Sequence, residues 1–124
     1  MPTKVEYTDE FATWFESLDG DAQDCIDIAA AVLKELGVRM RFPRSSKING
    51  ARHGGMRELR GKSRGRRLRV LYAFDPQRVA VLLVGGDKTA EGNRWYKTAV
   101  PLADRLFERH LEQLNAEELS SSQT

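Results

Sequence analysis

A mixed α/β fold of the α+β kind is predicted for this chain, with the order β-α-α-β-β-β-α, an antiparallel-dominated sheet and the helices on one face. Three observations lead there. Two stretches of helical period stand near the start, strand-like segments joined by short polar turns fill the middle, and a long helical stretch closes the chain. At 124 residues the sequence reads as a single domain over 1–124 with room for one core. The ordered part is expected over about 3–115.

Each element has its own signal. Thr3–Tyr7 alternates and reads as a short strand. Thr8 is a good N-cap, and Phe11, Trp14, Phe15 and Leu18 then share one helical face. Asp19-Gly20-Asp21 breaks this helix and caps the next. There Ile26, Ala29, Ala30, Leu33 and Leu36 recur at helical spacing up to Gly37, a natural residue just past a helix end. Residues 38–55 lack periodicity, and Pro43, Gly50, Gly54 and Gly55 mark them as a loop long enough to suggest function. Met56–Arg60 reads as a strand, Gly61–Gly65 as a polar turn, and Arg66–Phe74 as a strand. Asp75-Pro76-Gln77-Arg78 is a turn in which proline pre-sets φ. Val79–Val84 is apolar throughout, as a strand covered on both faces would be. From about Asn93 to Leu119 the pattern is helical, with Pro101 expected to start or kink the helix. Ser120–Thr124 is expected to fray.

Charge is distributed unevenly. Residues 39–69 hold 12 of the 20 Lys and Arg and one acid, Glu58. The first 38 residues carry 2 basic and 9 acidic side chains, and residues 70–124 carry 6 and 8, so the local balances are −7, +11 and −2. Such a basic block suits a polyanion, most commonly one carrying phosphates. No apolar run approaches the ~20 residues that cross a bilayer, and no secretion signal opens the chain. A single Cys25 excludes an internal disulfide, and with two histidines it argues against a metal site. Neither a cofactor nor a membrane is expected, and the compartment is expected to be the cytoplasm.

Strand alternation sorts the arginines. In Arg66–Phe74, Leu68, Val70, Tyr72 and Phe74 share one face and should meet the helices, so Arg67 and Arg69 project from the other. In Met56–Arg60, Leu59 and Arg57 share the core side, and Met56, Glu58 and Arg60 lie opposite. A hairpin would gather Glu58, Arg60, Arg67 and Arg69 on one open sheet face. Their planar forks suit phosphate oxygens. The bland alternative is a set of cross-strand Glu–Arg pairs. After the last strand, Gly85-Gly86-Asp87-Lys88 is expected to leave the sheet as a loop, which Asn93-Arg94-Trp95-Tyr96 follows. Lys88 could meet a phosphate, and Trp95 or Tyr96 could stack on a base.

These same residues carry a resemblance. Met56-Arg57-Glu58-Leu59-Arg60, Leu68-Arg69-Val70-Leu71-Tyr72-Ala73-Phe74-Asp75-Pro76, Leu82-Leu83-Val84-Gly85-Gly86-Asp87-Lys88 and Trp95-Tyr96, in that order, resemble the phage-derived, HigB-like branch of the RelE toxin superfamily. Ala51-Arg52-His53 and Val100-Pro101-Leu102-Ala103-Asp104 resemble it too, and the match spans roughly residues 4–114. The resemblance implies a RelE-like fold and the toxin of a type II toxin–antitoxin pair. It implies metal-independent cleavage of mRNA on the ribosome, and an antitoxin partner with a helix-turn-helix domain, through which alone DNA would be met. It places the family's strand arginine on Arg69, a second basic position on Arg60, the basic position after the strand on Lys88 and the late aromatic on Tyr96. The sequence departs from some relatives in having Glu58 where they have lysine, and it lacks a recognisable second catalytic residue at its end.

Metal-free cleavage needs a base for the ribose 2′-hydroxyl, an acid for the departing 5′-oxygen, and positive charge for the phosphorane. Arg60, Arg69 and Lys88 suit the charge. Arginine, with a pKa above ~12, shuttles protons badly, which leaves Glu58, Tyr96 and His53. Glu58 would be either a base or the organiser of the arginines. His110 falls on an apolar stripe and reads as packing. Arg39, Arg41, Arg44 and Lys47, with Arg57, Arg67 and Trp95, are expected to bind RNA or ribosome. The rival reading from another class is a non-catalytic RNA- or protein-binding module. A DNA-binding regulator acting alone is weaker, because no helix is strongly basic.

Overall fold

The computed structural model describes residues 2–122. The chain runs β1 (Val5–Tyr7), α1 (Asp9–Glu16), α2 (Gly20–Leu36), β2 (Ser45–Lys47), β3 (Arg57–Ser63), β4 (Arg66–Phe74), β5 (Ala80–Asp87) and α3 (Trp95–Ser122), with 3-10 turns at Gly37–Arg39 and Gly92–Arg94. The sheet order is β1-β5-β4-β3-β2. β1 lies parallel to β5, and the other pairs are antiparallel. The mixed α/β, antiparallel-dominated architecture matches the sequence reading, with an added strand and with cover on both faces of the sheet.

First, the loop 38–55 contains a strand, so the order gains a β. β2 is polar and three residues long, with no periodicity to betray it. Pairing holds it: Ser45 faces Leu59 and Lys47 faces Arg57, and the Arg60 amide donates to the Arg44 carbonyl at 2.9 Å. Second, the helices cover both faces. Leu68, Val70, Tyr72, Leu59 and Leu82 pack with Phe11, Ile26 and Leu33 of α1 and α2. Leu71, Ala73, Val81 and Leu83 pack with Ala99, Ala103, Leu106 and Phe107 of α3. Neither apolar face of so small a sheet can be left in water, and α3 supplies a stripe that fits the second.

Local chemistry sets the ends. The Thr8 hydroxyl accepts from the Phe11 amide at 3.0 Å and caps α1, while Asp19 accepts from Ala22 at 3.0 Å and caps α2. The β3–β4 turn is shorter than expected. Ser63 pairs with Arg66, leaving Arg64 and Gly65, with φ of 51° and 79°, as a two-residue loop. Between β4 and β5, Asp75 accepts from the amides of Gln77 and Val79 at 2.8 and 2.9 Å. Its second oxygen meets His110 of α3 at 2.8 Å. His110 is therefore an anchor between turn and helix as well as a packing residue, its ring stacked on Phe107. A bulge in β5 takes the register from Leu71–Val84 to Tyr72–Leu82 and turns both Leu83 and Val84 toward α3.

Gly85 and Gly86 do not leave the sheet as expected but continue β5. A side chain at Gly85 would strike the Trp14 ring, and one at Gly86 the Trp95 ring. The glycines thus admit an indole on each face. Pro101 lies inside α3. The helix continues to Ser122, past the expected fray at Ser120, and Gln123 and Thr124 lie outside the described residues.

Candidate active site

β3 and β4 set the site by register. Arg60 pairs with Arg69 and Glu58 with Leu71. Alternation turns Glu58, Arg60 and Arg69 to the side covered by the start of α3. There the Tyr96 hydroxyl donates to Glu58 Oε2 at 2.7 Å. Glu58 Oε1 faces Arg69 Nε at 3.4 Å and Arg60 Nε at 3.8 Å, and it accepts from the Ser46 hydroxyl at 3.4 Å. Lys88 Nζ lies 3.4 Å from the Tyr96 oxygen and 5.0 Å from the ring centroid. One carboxylate, one phenol and three cations from β3, β4, the end of β5 and α3 are thereby joined.

The open face expected for these arginines is not what forms. Glu58 and Arg69 are each 5% exposed. Arg69 donates from Nη1 to the Leu68 carbonyl at 2.9 Å. Its Nε is within ion-pair reach of Glu58, yet it is buried without a well-aligned hydrogen bond. A guanidinium can be buried there because a buried carboxylate compensates it. Glu58 is thus the geometric centre of the cluster. Trp95 supports the arrangement: its ring lies over Gly86 and meets Tyr96 edge to face, 5.1 Å between centroids. Half-buried, it braces Tyr96 from one side.

Electrostatics separate the two protic groups. Burial, and then the hydrogen bond to the Glu58 carboxylate, push the Tyr96 phenol up to about 12, against an opposing pull from Arg69. Tyr96 is therefore a neutral donor at ordinary pH. Burial, and then the neighbouring Arg69, lower the Lys88 pKa, with Glu58 acting the other way. Its ammonium is a stronger acid than a free lysine's.

The remaining expected residues lie apart. Arg57 is on the α2 side of the sheet, where its Nε donates to Ser45 Oγ at 3.0 Å, and Ser45 bonds the buried Tyr72 hydroxyl at 2.7 Å. Arg67 is exposed at the start of β4. His53 packs edge-on against Phe107 at 5.0 Å, with its Nε2 buried and unpartnered. Asp104 holds that loop by accepting from the amides of Arg52 and His53 at 2.8 and 3.2 Å, and no contact joins His53 to Glu58 or Tyr96 among the described residues. Arg39, Arg41, Arg44 and Lys47 are exposed. They have no carboxylate partner among the described residues, whereas Arg52, Arg64 and Arg66 of the same basic block pair with Glu108, Asp21 and Asp19. Neither Ser46 nor Asp104 was singled out from the sequence. Ser46 sits in the aperiodic loop. Asp104 sits on α3 within the apolar stripe of Val100, Ala103 and Phe107, where a buried acid marks a structural task.

Residues 13–108 match the family described as phage-derived protein Gp49-like (DUF891). Two proteins of Mycobacterium tuberculosis are similar in sequence. The assigned toxin HigB2 is 36% identical over 106 residues, covering 85% of this chain and 53% of that protein. The assigned toxin HigB3 is 39% identical over 98 residues, covering 79% of this chain and 84% of that protein. The chain thus spans about half the length of HigB2. Among solved structures, the free state of an arginine-substituted E. coli toxin RelE aligns at TM-score 0.56 and 12% identity, over 73% of this chain and 88% of that one. An archaeal RelE–RelB complex from Pyrococcus horikoshii aligns at 0.51 and 18%, over 72% and 98%. At such identities these two bear on the fold alone.

Proposed function

The chain belongs to the phage-derived Gp49-like family, the HigB-like branch of the RelE superfamily, and from that membership we propose that it is the toxin of a type II toxin–antitoxin pair, a ribosome-dependent, metal-independent mRNA endoribonuclease that blocks translation. The observation that carries this reading is the Glu58–Tyr96–Arg69–Arg60–Lys88 cluster. It offers a proton acceptor, a protic relay, an acid and two fixed guanidinium groups in one place.

Each group has a task. The ribose 2′-hydroxyl gives its proton to the Tyr96 oxygen as Tyr96 passes its own to Glu58 Oε2. A phenol held at about 12 would be a poor source of free phenolate, and the concerted transfer avoids making one. The 2′-oxygen then bonds the adjacent phosphorus. Arg60 and Arg69 neutralise the phosphorane, where fixed donors act without reorganisation. The bond to the 5′-oxygen breaks as Lys88 protonates it, leaving a 2′,3′-cyclic phosphate and a 5′-hydroxyl. His53 has no part in this scheme, because Asp104 and Phe107 hold it elsewhere.

Glu58 is largely buried, so the substrate must be delivered in a bent, in-line geometry. The ribosome can supply that orientation. The exposed Arg39, Arg41, Arg44 and Lys47 are the groups to hold its RNA, with Arg67 nearer the cluster. A cognate antitoxin bearing a helix-turn-helix domain is the proposed protein partner, and DNA is met only through it. Among the described residues no helix is long and apolar enough to cross a membrane, and the proposed site of action is the cytoplasm. The test compares translated and naked mRNA at matched salt. Cutting of translated mRNA alone supports the proposal. Equal cutting of both would make the chain a free ribonuclease, and cutting of neither would leave a non-catalytic binding module.

A further inference from the structure

Two depressions flank the cluster. On the Tyr96 side lies an open groove of about 590 Å³, which Tyr96, Lys97 and Arg105 help to line. On the other side, against the edge of the sheet, lies a cavity of about 320 Å³ formed by Phe42, Pro43, Arg44, Arg60, Lys62 and Arg69. Four of these residues are cations and none is an acid. Phe42 belongs to neither core and is 71% exposed, more than any other large apolar side chain among the described residues. The Arg60 guanidinium stands 5.3 Å from its ring centroid. Arg69, the same side chain that pairs with Glu58, reaches this cavity, and its buried Nε lacks a hydrogen-bond acceptor.

We propose that this cavity is a nucleotide subsite. The base of the mRNA residue next to the scissile phosphate stacks on Phe42, and that residue's phosphate lies on Arg60 and Arg69, with Arg44 and Lys62 at the rim. The inference rests on the ribonuclease reading and extends it, since neither Phe42 nor Lys62 was among the residues expected from sequence to bind RNA. The chemistry selects the ligand. An acidic peptide would answer the cations and leave the phenyl ring in water. An apolar peptide would cover the ring and strip water from four unanswered charges. A nucleotide joins a planar apolar surface to an anion through one sugar, and this cavity brings the Phe42 ring together with the Arg60 and Arg69 guanidinium groups. Because Arg69 belongs to both places, a base seated here draws its own phosphate toward Glu58 and Tyr96. Phenyl stacking tolerates any base, so the subsite fixes register along the strand more than sequence.

The probe is a fully 2′-O-methylated adenosine tetranucleotide, which has no free 2′-hydroxyl and resists cleavage, beside four versions that are each abasic at one position. Binding to the whole chain is measured at low salt by titration calorimetry, for wild type, Phe42→Ala and Phe42→Trp. Wild type should hold the intact probe on the order of tenfold tighter than one abasic version, the factor expected for a stacked base. Phe42→Ala should lose that difference and keep its affinity for the abasic probe. Phe42→Trp should restore it, with fluorescence quenched by the intact probe and not by the abasic one. Equal binding of intact and abasic probes by wild type, or unchanged discrimination in Phe42→Ala, overturns the subsite. So does unchanged oligonucleotide binding in a Phe42→Ala protein that no longer holds its co-expressed antitoxin, which would make this a protein interface. Because the probe is never cut, the result is independent of catalysis. Base-dependent loss without cleavage of translated mRNA would keep the subsite and remove the ribonuclease. Cleavage with unaltered probe binding would do the reverse.

Discussion

Replacing Arg69 by alanine should destabilise the fold substantially, the opposite of what an arginine on an open sheet face would do. The open-face expectation put such a change within ~0.5 kcal/mol. The structure puts the side chain at 6% exposure against a Glu58 side chain at 7%, with 3.4 Å between charged atoms. Removing one partner of a buried pair costs about 3–5 kcal/mol, because the other charge is left uncompensated. Arg60 still faces the same carboxylate at 3.8 Å, but it is 32% exposed and only partly makes good the loss. The net expectation is about 2–4 kcal/mol. With a urea slope of about 2 kcal/mol per molar, the middle of the usual range, the unfolding midpoint should fall by roughly 1–2 M. Out of a typical ~5–15 kcal/mol the variant remains folded at room temperature. The double variant Glu58→Gln/Arg69→Met removes both charges and keeps most of the volume. It should recover more than half of the loss, which is the coupling signature of a true pair. An Arg69→Ala midpoint indistinguishable from wild type, or additive effects of Glu58→Gln and Arg69→Met measured singly and together, would refute the buried pair. Growth assays on Arg69 variants therefore require a measured level of folded protein.

Tyr96 and Gly86 give two further tests. Tyr96 has a raised pKa, so its contribution to stability is complete below the unfolded value near 10 and disappears as pH rises through about 12. Ultraviolet absorbance of phenolate should include a titration near 12 that Tyr96→Phe removes; a high-pH titration identical in wild type and Tyr96→Phe would count against the Glu58 bond. Gly86→Ala would drive a methyl group into the Trp95 ring, at about 1–3 kcal/mol for overpacking. It should pull the start of α3 away from β5 and return the late tyrosine titration toward 10. Gly54→Ala, with open space around it, serves as the neutral control, and equal behaviour of the two variants would dismiss Gly86 as a determinant.

Much of the fold was legible because its signals are local. Thr8 and Asp19 announce their helices by capping chemistry, and the alternation of Leu68, Val70 and Tyr72 against Arg69, Leu71 and Ala73 is borne out residue for residue. The covering of the second face was also written in the chain. An apolar run through Val79–Val84 needs cover on both sides, and the Ala99-Ala103-Leu106-Phe107 stripe was the available cover. Weighing these together would have put Arg69 under α3. β2 could not be read, because three polar edge residues leave no periodic trace and depend on β3 for their conformation. In the site, Glu58, Arg60 and Arg69 were readable from strand parity, and Lys88 and Tyr96 from their places after β5. The bond between Glu58 and Tyr96 was not. It joins residues 38 apart, and it depends on Gly86 admitting Trp95, a tertiary fit with no sequence period. His53 was placed by its loop alone, and the loop's position was not readable: Asp104 holds it, and the ring packs edge-on against Phe107.

The most direct test of the central claim, that Glu58 and Tyr96 move the proton while Arg60, Arg69 and Lys88 manage the charge, is the chemistry of the cut ends. Purified protein is added to a translating system and to the same mRNA without ribosomes, at matched salt, and the fragments are analysed for their termini. Translated mRNA alone should be cut, with 2′,3′-cyclic phosphate and 5′-hydroxyl ends, and cutting should be lost in Tyr96→Phe at unchanged folded level. Ends carrying 3′-hydroxyl and 5′-phosphate, or full activity in folded Tyr96→Phe, would contradict the claim.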